Sequence, residues 1–290
     1  MIIAIVGPTG VGKTALSIAL AKHYKAEVIN FDAMQVYEKM DIGTAKVTKI
    51  EMDGVKHHLL SYVDIDTNYS VYDYQKEARS LIDKLLKEKK NIIMVGGTGL
   101  YLKATLYDYR FNKEENTTSY DDLSIEELLN RISKYNYIPK DSNNKRRLVR
   151  ELVKLENNEE IDNNGAKLLY NAKIIGLTTD RETLYDRINK RVDIMVEDGL
   201  VEEVSYLKDK FTSSKALKTA IGYKEFIPYF NSECSLEEVI QKIKQNSRHY
   251  AKRQYTFFNH QLPVTWYQSN FTDFNKTVNI VIDDIDKDDR

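Results

Sequence analysis

"IIAIVGPTGVGKTALSIALAKHY", residues 2 to 24, is the stretch from which the fold can be read. Ile2 to Val6 are an unbroken apolar run, as expected of a parallel strand covered on both faces. The next eight residues, Gly7, Pro8, Thr9, Gly10, Val11, Gly12, Lys13 and Thr14, fit the pattern G-x-x-x-x-G-K-[ST]. Small residues in such a loop let successive backbone N–H groups turn onto phosphate oxygens, with the positive end of the following helix behind them. Lys13 adds a cation, and Thr14 adds a hydroxyl suited to Mg2+. Leu16, Ala19, Leu20 and Tyr24 then share one side of a helix. Strand, glycine loop and helix together predict a diphosphate-binding site. The loop alone favours a nucleoside triphosphate but fits any compound ending in a diphosphate.

The same rhythm continues along the chain. "AEVIN" leads to Asp32 at the carboxyl end of a second strand, "NIIMV" at 91 to 95 runs into "GGTGLY", and "KIIGLTT" at 173 to 179 runs into "DRETLYDRI". Ser70 with Asp73 reads as a capping box, opening a helix whose Tyr74, Ala78, Leu81 and Leu85 share a face. Strands alternating with helices predict an α/β fold, a parallel sheet flanked by helices. Ligands of such sheets gather at the carboxyl ends of the strands, so the loop at 7 to 14, Asp32 and the 96 to 101 turn should border one crevice. The segment 113 to 172 breaks the rhythm, opening acidic in "KEENTTSYDDLSIEELLN" and turning basic in "KDSNNKRRLVRELVK". We read a catalytic core at 1–112 and 173–270, a helical insertion at 113–172, and an acidic, solvated tail at 271–290. "PVTWY" offers a late strand.

Composition narrows the class. The chain has 290 residues, 42% of them hydrophobic and 30% charged, which suits a soluble globular protein rather than a disordered one. One cysteine, Cys234, excludes an internal disulfide and fits a reducing cytoplasm. No run of eighteen apolar residues occurs, and "MIIAIVG" enters the glycine loop directly, so neither a membrane span nor a signal peptide is expected. A monomer is expected. With a formal net charge of -1, any polyanion must be met by local basic patches.

Several residues could carry chemistry. Asp32 sits where a carboxylate can take a proton from an acceptor beside bound phosphates, although a turn or cap aspartate would look the same. Thr98 in "GGTGLY" could donate to a departing diphosphate or simply belong to a strand-to-helix turn. His57 and His58 are adjacent, so in a strand they face opposite ways, and they lack the helical spacing of paired metal ligands. "KIKQNSRHYAKRQ", 242 to 254, holds five cations and no acid, with Lys244, Arg248 and Lys252 forming a stripe and Tyr250 and Tyr255 nearby. A second cluster joins Lys145, Arg146, Arg147 and Arg150. Basic helix faces are often merely solvated, yet two of them on a nearly neutral chain suit the backbone of a structured RNA.

These residues together resemble the tRNA dimethylallyltransferase family, also called tRNA isopentenyltransferases. The resemblance rests on "GPTGVGKT", "NFDAMQVYEKMDIGTAK" at 30 to 46, "GVKHHLLSYV" with "YSVYDYQKEA", "MVGGTGLYLKA", "DRETLYDRINKRVDIMVEDGLVEEV", "AIGYKE" and "YAKRQYTFF". These segments occur in the family's order, from residue 2 to about 260. The resemblance implies transfer of a dimethylallyl group from dimethylallyl diphosphate to N6 of adenosine 37, in the anticodon stem-loop of tRNA, with Mg2+ as cofactor. It implies that the glycine loop holds the donor's diphosphate, that Asp32 is the general base, and that Thr98 and Lys13 assist the departing diphosphate. The tRNA-facing set is then Asp32, Ala33, Met34, Gln35, Thr98, Arg146, Arg147, Arg150, Arg248, Lys252 and Arg253, with the insertion on the anticodon-loop side. Two positions depart from the pattern. Thr219 stands where some members carry an arginine proposed to contact diphosphate, leaving Lys218, Lys224 or Arg248 to compensate, and Phe257 replaces a tryptophan. With one cysteine the chain lacks the zinc-finger extension of eukaryotic members and resembles the bacterial form.

Two other readings use the same loop. A small-molecule or nucleoside kinase would bind ATP there, use Asp32 as base and need an arginine lid, for which Arg181, Arg187 and Arg191 are the available residues. It leaves the two basic clusters unexplained. A non-catalytic RNA-binding protein with a nucleotide-dependent switch would tolerate loss of the Asp32 carboxylate.

Overall fold

The computed structural model describes residues 1–111, 120, 122–157 and 165–288, and the chain divides into two compact units. The larger holds residues 1–106 and 170–290, and the smaller holds 107–169.

A six-stranded parallel sheet organises the larger unit, in the order β3-β2-β4-β1-β5-β6. The strands are β1 (Ile2–Val6), β2 (Ala26–Asn30), β3 (His57–His58), β4 (Asn91–Val95), β5 (Ala172–Thr178) and β6 (Thr265–Gln268). All five residues of β1 are buried, and Ile2 to Ile5 pair with Ile92 to Val95 on one side while Ile2 to Val6 pair with Ala172 to Gly176 on the other. A strand flanked and covered in this way has no wet face, which is why its sequence shows no alternation.

Helices α1 (Lys13–His23), α2 (Lys49–Met52), α3 (Val71–Lys87) and α4 (Gly99–Leu106) lie in the first half of this unit. Helix α3 opens with the capping box read from the sequence: the Ser70 side chain accepts from the Asp73 N–H, and Asp73 accepts from the Ser70 N–H. Its buried stripe is Tyr74, Gln75, Ala78, Ile82 and Leu85, so Ile82 rather than Leu81 is the inward residue of the third turn. Helices α5 (Ile125–Ser133) and α6 (Lys145–Glu156) form the smaller unit around Leu128, Ile132, Leu148, Val149 and Leu152.

The smaller unit begins before residue 113. Tyr107 bridges Leu168, the Asp108 N–H donates to the Lys167 carbonyl at 2.8 Å, and the Lys167 N–H donates to Asp108 Oδ1 at 2.9 Å. These bonds zip the two ends of the excursion together, whereas the sequence marks only its change of polarity. Much of the acidic opening, at 113–119 and 121, lies outside the described residues.

The chain returns through β5 to α7 (Arg181–Glu197), α8 (Leu200–Tyr206), α9 (Lys215–Thr219), α10 (Ile227–Phe230), the 26-residue α11 (Leu236–Gln261) and β6. It closes on α12 (Phe274–Asp288), and here the structure corrects the expected solvated tail. Val278, Val281 and Ile285 are buried in the same core as Leu16, Leu20 and Ile175. Their spacing is the i, i+3, i+7 of an amphipathic helix, and the acidic residues between them face water. Charge density concealed that stripe in the sequence.

Candidate active site

The carboxyl ends of β1, β2 and β4 border a single cavity of about 950 Å3. Its lining includes Thr9, Gly10, Gly12, Lys13 and Thr14 of the phosphate loop, Asp32 to Gln35 beyond β2, and Gly96 to Thr98 beyond β4. Gly7, Pro8 and Val11 shape the loop without lining the cavity. Strand, loop and helix meet at Gly12, whose φ of 95° is left-handed and whose absent Cβ would lie 2.6 Å from the Phe274 ring. A side chain there would be strained by its backbone and blocked by α12.

Cations crowd this loop. Lys13 Nζ donates to the Pro8 carbonyl at 2.7 Å, and burial, reinforced by the Arg191 charge and opposed by Asp32, pushes its pKa down to about 7. Arg191 Nη1 donates to Thr9 Oγ1 at 2.9 Å, and Arg187 Nε donates to the Gly10 carbonyl at 2.7 Å. Burial depresses both arginines as well, and for Arg191 the Arg187 charge adds to it. Neither Lys13 nor Arg191 forms an ion pair with a carboxylate among the described residues. Enclosed cations without a counterion are costly, and they mark a place built for an anion.

Their origin in α7 is legible only in three dimensions. Leu184, Ile188 and Val192 bury one stripe of that helix, and Arg187 and Arg191, each one residue earlier, ride its edge onto the loop. In the sequence these arginines stand out only as a kinase lid, while Lys218, Lys224 and Arg248 are the expected substitutes at the Thr219 position. Thr219 does line the cavity, as does Lys224. Lys218, however, donates to the Thr212 carbonyl at 2.7 Å, and Arg248 donates to Asn189 Oδ1 at 2.6 Å.

Facing the cations is a polar wall. Asp32 Oδ1 accepts from the Met34 N–H at 3.0 Å, so one oxygen does the turn work that any aspartate could do here. Among the described residues Oδ2 has no hydrogen-bond partner, and it lies beside Gly97, 3.2 Å from where a Cβ on that glycine would sit. Thr98 Oγ1 accepts from the Ala33 N–H at 3.0 Å, which ties the Asp32 turn to the β4 turn. The amide nitrogen of Gln35 donates to the Thr44 and Ala45 carbonyls at 3.0 and 3.2 Å, leaving its oxygen as the available group. Val47, Val192, Met195, Ile221 and Ile243 contribute an apolar share of the cavity.

Of the basic stripe on α11, only part faces outward. Lys244 pairs with Asp193 at 2.5 Å and Arg248 is turned to Asn189, both on α7, while Lys252 and Arg253 are exposed and Arg253 also lines the cavity. The sequence segment contains no acid, but its neighbour in space does. Tyr250 is likewise drawn inward, donating towards the Gly97 carbonyl at 3.4 Å, and burial raises its phenol. Phe257 is half-buried, and Gly99 has no Cβ because one would sit 2.2 Å from its ring. In the smaller unit, Arg146, Arg147 and Arg150 lie on α6, and Arg147 Nε bonds Glu151 at 2.9 Å.

His57 Nδ1 lies 2.9 Å from the Val55 carbonyl, and His58 Nε2 lies 2.6 Å from Glu27 Oε2. Among the described residues no three His, Cys, Asp or Glu side chains cluster as a metal cage, and no helix is long and apolar enough to cross a membrane.

The family model "IPP transferase" matches residues 35–261. A tRNA dimethylallyltransferase of Latilactobacillus sakei is 44% identical over 286 residues, covering 92% of this chain and 91% of its own. One from Bacillus subtilis is 42% identical over 283 residues, covering 92% and 90%. Among solved structures, the tRNA isopentenylpyrophosphate transferase of Bacillus halodurans superposes with a TM-score of 0.77 at 40% identity, covering 99% of this chain and 95% of its own. A eukaryotic dimethylallyltransferase acting on tRNA gives 0.81 at 26% identity, covering 100% and 80%.

Proposed function

The chain belongs to the IPP transferase family, and on that premise we propose that it moves a dimethylallyl group from dimethylallyl diphosphate to N6 of adenosine 37 in the anticodon stem-loop of tRNA. It is a prenyl-transferring enzyme of tRNA, and the kinase reading is not favoured. The observation that carries the detailed assignment is the opposition, within one cavity, of carboxylate-free cations on the phosphate loop and the unbonded Oδ2 of Asp32.

The chemistry requires that opposition. Adenine's N6 lone pair is delocalised into the ring, so the amine is a weak nucleophile. A carboxylate accepting its hydrogen bond raises its electron density and takes the proton as the new bond forms. The N6 nitrogen bonds to the allylic carbon, and the carbon–oxygen bond breaks with its electron pair leaving on diphosphate. Lys13, Arg191, Arg187 and the loop amides meet the negative charge that accumulates there. Thr98 Oγ1 accepts from the Ala33 N–H and its side chain also bonds the Tyr250 phenol, so its O–H must turn from Tyr250 to donate to the departing diphosphate. The target base must leave its stack to reach Asp32.

A Mg2+ ion fits this donor set. Magnesium takes few protein ligands beside phosphates and keeps its waters, so the Thr14 hydroxyl at the head of α1 suffices without a carboxylate cage. When bound, the ion adds positive charge at the departing diphosphate. Lys252, Arg253 and the α6 arginines would contact RNA phosphates.

The test is incubation with Mg2+, labelled dimethylallyl diphosphate and unmodified tRNA, with ATP hydrolysis and phosphoryl transfer as controls. Label in the RNA at adenosine 37 is expected; ATP turnover without label would overturn the assignment. In Asp32→Asn, transfer should fall by about 10²- to 10⁴-fold, the usual contribution of a general base.

A further inference from the structure

Three loops must keep a fixed spacing in this site, and their backbones do not do it alone. Strand β4 lies between β2 and β1, so its 96–98 turn stands between the Asp32 turn and the phosphate loop. The Asp32 side of this arrangement is closed by the Ala33 to Thr98 bond. The phosphate-loop side is closed by a side chain 245 residues away in sequence: the Thr9 N–H donates to Gln254 Oε1 at 3.1 Å. The same amide group, through Nε2, donates to the Gly97 carbonyl at 2.9 Å. Gln254 is 4% exposed, and a Cβ on Gly97 would fall 2.4 Å from its nitrogen.

From this we infer that Gln254 is a positioning residue that sets the distance between the phosphate loop and the Asp32–Thr98 wall. The inference rests on the transfer reaction proposed above. The amide's chemistry suits the task. One end must accept from an N–H and the other must donate to a carbonyl, and the span between them is a single rigid carboxamide. No ionised carboxylate can do both, and no apolar side chain can do either. The phosphate loop holds the leaving group and the wall holds the acceptor base, so the span fixes how far the nucleophile lies from the carbon it attacks. That distance acts on the rate of the chemical step and leaves binding of either substrate largely untouched.

Two variants test this, with the wild-type enzyme as the control for the reaction itself. In Gln254→Met, kcat for transfer should fall by about 10²-fold, the cost of a misplacement near 1 Å, while both KM values and the Kd for inorganic diphosphate stay within about threefold. In Gln254→Glu the loss should depend on pH. The protonated carboxyl can still accept from Thr9 and donate to Gly97, whereas the carboxylate opposes the Gly97 carbonyl. Its kcat relative to wild type should therefore rise about tenfold or more between about pH 8 and pH 6, because a buried carboxyl facing a carbonyl oxygen titrates high. An unchanged kcat in Gln254→Met, or a loss shared equally by kcat and the diphosphate Kd, would overturn the assignment, as would a flat relative profile for Gln254→Glu. Failure of the underlying reaction would be visible separately, as absence of transfer by the wild type.

Discussion

Two groups of cations in this protein look alike in sequence and differ in physics. Lys13 and Arg191 are partly buried over the phosphate loop without a carboxylate partner among the described residues, whereas Lys252 and Arg253 stand exposed on α11, Arg253 also bordering the cavity. Charge in the first group is partly buried in the cavity wall, where screening is weaker than at the surface, so each interaction with an anion is stronger, and burial depresses the lysine pKa to about 7. Charge in the second group is hydrated and screened within a Debye length, so any attraction it offers a polyanion is modest per residue. The same helix shows a third fate, since Lys244 pairs with Asp193 and Arg248 bonds Asn189, both on α7. A count of basic residues does not predict function until burial has sorted them.

Substitutions should separate the two groups. The largest effect is expected at Lys13→Met, where kcat/KM for transfer should drop about 10³-fold, in line with removal of a preorganised group at a developing oxyanion. Arg191→Gln comes next, with weaker binding of inorganic diphosphate by about 10²-fold, measured calorimetrically and nearly unchanged between low and high salt. A loss that vanished at high salt would place Arg191 with the exposed group. The pH dependence follows from Lys13. Below about pH 7 the ammonium is already charged and affinity has no proton to gain. Above it the free enzyme is neutral at Lys13, diphosphate binding must take up a proton, and affinity should fall by up to about tenfold per pH unit relative to Lys13→Met, which removes diphosphate's own titration from the comparison. The smallest effect belongs to Lys252→Ala. It should weaken RNA binding about threefold, lower the slope of log K against log salt by about one, and leave diphosphate binding alone.

Legibility in the sequence followed the range of the interactions. The phosphate loop and the α3 capping box were readable because each is completed within a few residues. The hydrophobic stripe of α12 is short-range too, but the acids of "DDIDKDDR" mask the spacing of Val278, Val281 and Ile285. Arg187 and Arg191 stood out only as lid candidates of a kinase, alongside Arg181, because the residues that single them out, Gly10 and Thr9, are 177 and 182 positions away. Gln254 was invisible for the same reason, as a polar residue among cations on a helix that reads as an RNA-binding surface.

By itself the sequence determined the parallel α/β sheet, the phosphate loop, and Asp32 and Thr98 as the residues beside it. Periodicity, glycine placement and local hydrogen bonding are properties of neighbouring residues, and they survive without knowledge of the rest of the chain. Only the tertiary structure decided which cations face the loop, that Lys244 is neutralised by Asp193 of α7, and which amide spans the loops that follow β1 and β4. Those choices depend on solvent exclusion and on distances between segments far apart in sequence, and both arise only when the helices close over the sheet.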